Sequence, residues 1–489
     1  MKFNKLIAGF VDTSLEFEVT GLALDSREVK SGDVFIALAG AKQHGLSYAP
    51  QAIKQGAAAI IYAPEDEGEK LATQLQGISL VKIENLAFKL ADIAARFYDY
   101  PVKKLGVIGL TGTNGKTSCS QFLAQMLDNS AVIGTLGWGK WGQLKTTINT
   151  TPDALALQKM LAECVSKGIE TLAMEVSSHG LEQGRVNGID FTGAIFTNLS
   201  RDHLDYHGSM EAYFQAKLAL FKKPELEFAV INLDDAYSER IIASLVENVV
   251  LWIFSVSGKT LEQAHCVYAQ HIQLINTGLS FEVCYNKDAV TVCCDIYGGF
   301  NVENILAAIT TLLAMGFSLS EAAAKASKLE TISGRMQCFG GKGQPLVFVD
   351  YAHTPDALAK ASMALKQHQH DAVSLVFGCG GDRDQGKRAL MGQVACEHAD
   401  NIIITDDNPR TENGDNIIQD ILTGCNSNKV NVIRDRKQAI EKAITQASSG
   451  DCVLIAGKGH EDYQEINDVK YPFSDVVIVQ QVLQARKLK

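Results

Sequence analysis

The stretch from Lys104 to Ser118 constrains the fold of this chain more than any other. An apolar run, Leu105-Gly106-Val107-Ile108-Gly109-Leu110, feeds the turn Thr111-Gly112-Thr113-Asn114-Gly115-Lys116-Thr117-Ser118, and the turn enters a helical pattern, Cys119 to Leu127. Strand, glycine-rich loop and helix in one line predict a phosphate loop inside α/β winding. Gly112 and Gly115 allow the backbone close to an anion, and the loop amides with the helix N-terminus direct partial positive charge at it. Lys116 then reaches the outer phosphates of a nucleotide, and Thr117 has the hydroxyl such loops place on Mg²⁺. Leu110 stands where the usual pattern has its first glycine, so the loop is a variant of that pattern. An ordinary turn between strand and helix is the competing reading.

With 489 residues the chain exceeds one core, and the usual domain size points to about three domains. A hydrophobic content of 46% and a mean hydropathy near zero describe a soluble globular protein. Lys and Arg total 45 against 56 Asp and Glu, a net charge of −11, which argues against a nucleic-acid partner. The apolar run after Met1 ends at Asp12, too early for a signal peptide, and no segment approaches the roughly 18 apolar residues of a membrane span. Eleven cysteines without a Cys-x-x-Cys spacing read as reduced thiols of a cytoplasmic protein.

Three units are expected. Residues 1–100 form a small α/β module with strands near 34–38, 58–61 and 80–83 and a helix over 86–97, closed by Asp99-Tyr100-Pro101. Residues 101–332 alternate apolar strands with helices near 153–167, 210–221 and 236–247, which predicts a doubly wound parallel sheet with ligands at the carboxyl ends of its strands. Alternating strands near 264–296 read as a small antiparallel insert. Residues 333–489 carry strands near 346–350, 373–377, 401–405 and 452–456, a second Rossmann-like sheet.

Polar motifs follow these strands. Glu175, at the end of an apolar run before Ser177-Ser178-His179-Gly180, suits a hard cation beside a nucleotide or caps a surface loop. The loop Thr197 to Gly208, with Asp202, His203, Asp205 and His207, is dense enough in ligand types to hold a metal, and is otherwise a solvated loop. Lys217 stands alone in the largely apolar turn Tyr213 to Phe221, where lysine usually snorkels to water. In the last unit Asp350-Tyr351-Ala352-His353, Gly378 to Asp384, Asp406-Asp407-Asn408-Pro409-Arg410 and Gly457-Lys458-Gly459-His460-Glu461 should gather on one sheet edge. Arg383 and Arg410 suit bidentate capture of a carboxylate, with surface ion pairing as the alternative.

The order of Leu-Asp-Ser-Arg, Thr-Gly-Thr-Asn-Gly-Lys-Thr, Asn-Thr-Thr-Pro, Glu-Val-Ser-Ser-His-Gly, Asp-His-Leu-Asp-Tyr-His-Gly, Ser-Gly-Arg-Met, Asp-Tyr-Ala-His-Thr-Pro-Asp and Asp-Asn-Pro-Arg closely resembles the Mur ligases over essentially the whole chain. The resemblance implies a first domain that binds the uridine end of the substrate with Leu24 and Ser26. It implies that Asn149, Thr150, Thr151, Ser177, Gln183 and Arg185 grip the sugar-peptide portion. ATP is assigned Gly112, Thr113, Asn114, Gly115, Lys116, Thr117 and Ser118, with Asn304, Arg335 and Asp350. Thr117, Glu175 and His203 fall on Mg²⁺ ligands, and Lys217 on the lysine that the family carboxylates with CO₂. Lys116, Glu175, His203 and Lys217 are thereby the expected catalytic set.

The Asp-Asn-Pro-Arg motif is similar to that of the diaminopimelate-adding branch. Arg383, Asp407, Asn408, Pro409, Arg410, Gly457 and Glu461 are then expected to bind meso-diaminopimelate. The implied reaction is ATP-dependent ligation of that amino acid to UDP-N-acetylmuramoyl-L-alanyl-D-glutamate in peptidoglycan synthesis, by a cytoplasmic monomer that neither enters a membrane nor binds nucleic acid. A lysine-adding ligase and a catalytically silent nucleotide-binding scaffold are the alternatives. The chain departs from common versions at Ser118-Cys119 and at Ala41-Lys42-Gln43-His44.

Overall fold

The computed structural model describes the chain apart from residues 41, 42, 276, 277, 342, 369, 370, 427, 428, 488 and 489. Two compact units divide it: residues 1–109, 129–193 and 222–226 form the first, and 110–128, 194–221 and 227–489 the second.

In the first unit β1 (Leu22–Ala23), β2 (Val34–Ala37), β3 (Ala59–Tyr62) and β4 (Ser79–Lys82) make a parallel sheet in chain order. Val34 to Ala37 are all buried, as expected of a parallel strand covered on both faces. The helix Leu86–Phe97 buries Leu86, Leu90, Ile93 and Ala94, an i, i+4, i+7, i+8 stripe, against that sheet's core. Ser26, behind β1, is buried and donates to Gln51 Oε1 at 2.8 Å. Ala41 and Lys42, part of the divergent loop, lie outside the described residues. His44 of that loop is buried, accepting the Leu46 N–H at its Nδ1 and pairing its Nε2 with the Ala63 carbonyl, each at 3.0 Å. The same unit holds β6 (Ser130–Gly134), β7 (Gly137–Gly139) and β8 (Thr171–Glu175), with β6 parallel to β8 and antiparallel to β7.

β5 (Gly106–Thr111) carries the chain from the first unit into the second, which continues with β9 (Gly193–Phe196), β10 (Phe228–Asn232), β11 (Val250–Ser255), β12 (His265–Ile275), β13 (Gly278–Tyr285) and β14 (Asp288–Cys294). The stretch predicted as a small antiparallel insert has antiparallel pairing, but it is part of a larger sheet. β12 pairs in parallel with β11, and β13 and β14 extend the same sheet as antiparallel neighbours. Local alternation identifies the strands but not the partner their edge finds. The sheet is therefore mixed. The predicted helix over 236–247 is also shorter, Ser238–Ile242, and a long helix follows β14 at Phe300–Ala314.

The last sheet comprises β15 (Gln337–Gly340), β16 (Leu346–Asp350), β17 (Val373–Phe377), β18 (Asn401–Ile404), β19 (Val430–Val432) and β20 (Cys452–Ala456), in the order β15-β16-β20-β17-β18-β19. All pairings are parallel except that of β15. The predicted strands are present; β15 and β19, at the edges, are additional. A ribbon of β21 (Tyr463–Ile466) and β22 (Val469–Pro472) follows. All eleven cysteines are free. Among the described residues no helix is long and apolar enough to cross a membrane.

Arg436 and Asp475, each 0% exposed, are joined by two 2.8 Å hydrogen bonds, and Arg436 also donates to the Ala456 carbonyl at 3.0 Å. Each opens a helix, Arg436–Gln446 and Asp475–Lys487, so the pair fixes both helices to the end of β20. Arg436→Ala would strand a buried carboxylate, and an unfolding free energy lower by about 3–5 kcal/mol is expected in denaturant titration. A loss below about 1 kcal/mol, the level of a surface pair, would count against this account.

Candidate active site

The phosphate loop sits between β5 and the helix Lys116–Met126, within the second unit from Leu110 onward. Gly115 has φ +87°, and a Cβ there would lie 2.5 Å from Asn304 Oδ1; a Cβ at Gly112 would lie 2.0 Å from Thr197 Oγ1. Both positions therefore require glycine. Asn114 donates its backbone N–H to Asn198 Oδ1 at 2.9 Å and its side chain to Asp356 Oδ2 at 3.1 Å. Lys116 Nζ folds back onto the carbonyls of Gly112 and Thr113, at 2.7 and 2.9 Å.

Lys217 shares the Gly112 carbonyl, at 2.8 Å. It is 2% exposed and lies 4.4 Å from the Tyr213 ring centre, so the expectation that it snorkels to water is corrected: its helix, Met210–Leu218, turns it inward. Burial, and then the charge of Lys116, hold its pKa well below the usual lysine range. Burial thus favours the neutral amine over the charged one. His203, in the left-handed conformation at φ +53°, lies beside Asp202, Nε2 to Oδ2 3.5 Å. Burial pushes its imidazole down to about 4 against the attraction of Asp202, with Lys116 and Lys217 adding to the fall. Burial also opposes the charge of Asp202, yet His353, His203 and Lys387 hold its carboxyl below the usual range.

A cleft adjoins the loop. Asn114, Gly115 and Ser118 line it together with Asn304, Arg335 and Asp350. Residues more than two hundred positions apart in sequence are thereby brought to one place. Arg335 donates to Thr117 Oγ1 at 3.2 Å and stacks 4.5 Å from the Tyr351 ring centre. Asp350 ends β16 and accepts the N–H groups of Met336 and Ala352 at 2.7 and 2.8 Å. Burial raises its pKa, with Arg335 opposing. Tyr351, His353, Phe300 and Asn198 also line the cleft. None was assigned a role from sequence, although Asn198, Tyr351 and His353 stand in motifs that were singled out.

The first unit holds a second polar cluster. Glu175, 0% exposed at the end of β8, accepts the N–H and hydroxyl of Thr135 at 2.9 and 3.0 Å, and Thr135 meets the Thr150 hydroxyl at 3.0 Å. A Cβ at Gly134 would lie 2.1 Å from Glu175 Oε1, so no larger residue leaves this carboxylate in place. Thr151 Oγ1 bonds Ser177 Oγ at 3.0 Å, and Arg185 donates to the Thr151 carbonyl at 2.7 Å and to Gln183 Oε1. Thr150, Thr151, Ser177, Gln183 and Arg185 thus gather around Glu175. Asn149 is exposed, and no hydrogen bond joins Leu24 or Ser26 to the cluster among the described residues.

In the last sheet Asp407, Asn408 and Pro409 are buried after β18, and Gly457 follows β20. A Cβ at Gly457 would lie 2.5 Å from Asp407 Oδ2, which brings the two motifs into contact. Asn408 Nδ2 donates to Glu461 Oε2 at 2.9 Å. Arg410, at φ +50°, donates to the Gly381 carbonyl at 2.7 Å and lies 3.4 Å from Glu465 Oε2. Arg383 is exposed; the position of a Cβ at Gly380 is 2.8 Å from Arg410 Nη1 and 3.8 Å from Arg383 Cγ, so both arginines flank Gly380. Glu465 has no sequence signal, because its ribbon reads as exposed surface.

Comparison with known proteins adds family and relatives. The chain matches three protein-family models: "Mur ligase family, catalytic domain" over residues 18–98, "Mur ligase middle domain" over 110–312 and "Mur ligase, glutamate ligase domain" over 334–459. A UDP-N-acetylmuramoyl-L-alanyl-D-glutamate–2,6-diaminopimelate ligase of Coxiella burnetii is 46% identical over 463 residues, covering 94% of each chain. The protein of that name in Pseudomonas aeruginosa is 43% identical over 490 residues, 99% of this chain and 98% of its own. A solved structure bearing the same name is 37% identical, with a TM-score of 0.69 over 100% of this chain and 99% of its own. MurF from Acinetobacter baumannii, 18% identical with a TM-score of 0.67 over 96% of this chain and 94% of its own, shares the fold.

Proposed function

This chain belongs to the Mur ligase family, and on that premise we propose that it is an ATP-dependent acid–amino-acid ligase, adding meso-2,6-diaminopimelate to UDP-N-acetylmuramoyl-L-alanyl-D-glutamate in peptidoglycan precursor synthesis. The observation that carries the reading is the cleft in which the phosphate-loop residues meet Asn304, Arg335 and Asp350. We assign residues 1–100 to the uridine end of the substrate, 101–332 to ATP and 333–489 to the amino acid. Small-molecule substrates and a cytoplasmic, monomeric state complete the reading; the net charge of −11 supports the absence of nucleic acid.

ATP phosphorylates the D-Glu carboxylate, the incoming amine attacks the acyl phosphate, and the tetrahedral intermediate expels phosphate. The loop amides and Lys116 carry the charge of the transferred phosphoryl group, once Lys116 leaves the carbonyls it holds here. Asp350 and Asn304 orient the nucleoside end, and Arg335 spans from Asp350 to Thr117 beside the phosphates. Leu24 and Ser26 hold the uridine, and Asn149, Thr150, Thr151, Ser177, Gln183 and Arg185 the sugar-peptide. Lys217 adds as a neutral amine to CO₂, releasing a proton and forming a carbamate.

In the second unit the Thr117 hydroxyl, the neutral His203 imidazole and carbamate oxygens on Lys217 are donors that Mg²⁺ would accept, and in the first unit the Glu175 carboxylate is a donor of the same kind. Mg²⁺, when bound, would supply neutralisation of phosphate charge. Arg383, Asp407, Asn408, Pro409, Arg410, Gly457 and Glu461 receive the amino acid, the arginines taking its distal carboxylate and Glu461 its ammonium.

Phosphate release from ATP, with the UDP-muramyl dipeptide and either meso-diaminopimelate, lysine or no amino acid, tests the proposal. Release with meso-diaminopimelate alone is expected. Release with lysine would retain the ligase and overturn the specificity; none with either would overturn the activity.

A further inference from the structure

Lys458 is 0% exposed, although lysine is among the residue types least often buried without a partner. It stands between two glycines in the turn after β20, and the Glu461 N–H donates to its carbonyl at 2.9 Å, which brings the side chains of 458 and 461 to one side of the turn. Its ammonium donates to Asn408 Oδ1 and to Glu461 Oε2, each at 2.9 Å, and lies 5.5 Å from the Tyr463 ring centre.

These bonds determine how two other side chains stand. Asn408 Oδ1 also accepts the Glu465 N–H at 3.0 Å, so the amide presents its oxygen to Lys458 and Glu465 and its nitrogen to Glu461. Glu461 Oε2 then receives both Lys458 and Asn408, while Oε1 accepts no hydrogen bond among the described residues. The Glu461 side chain keeps 17% of its surface exposed, whereas Lys458 has none. One carboxylate oxygen is thus held from within by a buried cation and an amide, and the other is left for a ligand.

We infer that Lys458 is a positioning residue for amino-acid recognition: its buried ammonium fixes Asn408 and Glu461 so that Glu461 Oε1 meets the ammonium of the incoming amino acid. The inference rests on the amino-acid pocket proposed above. It deepens that reading by naming what sets the geometry of the pocket before substrate arrives.

Lys458→Met removes the charge and both donors at similar length, and Lys458→Gln retains one neutral donor. Steady-state phosphate release should show KM for meso-diaminopimelate raised about 10-fold to 100-fold in Lys458→Met, the range for hydrogen bonds to a charged group, and less in Lys458→Gln. KM for ATP and for the UDP-muramyl dipeptide should stay within about twofold in both, a split that a general loss of structure does not give. An unchanged KM for the amino acid in Lys458→Met would overturn the inference. So would loss of ATP binding in both variants, since Lys458 would then support the fold and not the pocket. Wild-type release that needs no amino acid, or is driven by another one, would instead overturn the reading of the pocket itself.

Discussion

Lys217→Ala is expected to lose ligase activity by at least about 10²-fold, the scale on which removal of a charge-stabilising group acts, and to regain part of it when formate or another short carboxylate is added. The expectation follows from where the amine lies. Lys217 is 2% exposed, bonded to the Gly112 carbonyl and packed on the Tyr213 ring, and burial lowers its pKa well below the lysine range. Only a neutral amine attacks CO₂, and the product places an anion beside the phosphate loop, where the unmodified side chain can only donate. Truncation vacates space over Tyr213 that a small carboxylate can enter. ATP binding by the loop amides should survive, which separates this effect from unfolding. Full activity in the variant, or failure of every small carboxylate to restore any, would remove the carbamate from the mechanism.

Arg410→Ala should lower kcat/KM for meso-diaminopimelate about 10³-fold or more while leaving KM for ATP unchanged, and should erase most of the preference over lysine. The two amino acids differ by one carboxylate. Arg410 already donates to the Gly381 carbonyl and faces Glu465, so lysine leaves only its remaining N–H groups without the carboxylate they are shaped to take, whereas meso-diaminopimelate supplies it. The loop itself should hold, since the backbone of Arg410 bonds the Glu465 carbonyl at 3.0 Å and accepts the Asn467 N–H at 2.7 Å, neither of which involves the side chain. Arg410→Lys keeps the charge without the fork and should recover little. An unchanged preference in Arg410→Ala would move the specificity to Arg383 or elsewhere.

The two residues were legible in the sequence in different ways, Arg410 through a motif and Lys217 through resemblance alone. The phosphate loop was legible because its strand, glycines, Lys116 and helix are consecutive, and the turn chemistry is local. The strands Val373–Phe377 and Cys452–Ala456 were legible because a parallel strand covered on both faces reads as a nearly continuous apolar run, interrupted in the first only by Ser374. Lys217 was legible only through resemblance to a family; on its own it reads as a surface lysine, because periodicity does not report what lies above a helix face. Lys458 was quoted within a motif and given no role, since nothing adjacent to it in sequence reveals that Asn408, fifty residues earlier, supplies its partner.

The sequence by itself therefore determined the α/β class, the phosphate loop, most strands, and a set of residues whose order marks the family. Those are properties of short windows, decided by backbone conformation, hydrophobic period and local hydrogen bonds. Only the tertiary structure decided that β12 to β14 extend an existing sheet, that Lys217 is enclosed with Lys116 over one carbonyl, that Asn304, Arg335 and Asp350 face the loop across a single cleft, and that Arg410 lies against Glu465 of the ribbon. Each of these joins segments distant in sequence, and such contacts are selected by the free energy of packing the whole chain, to which no single window of sequence gives access.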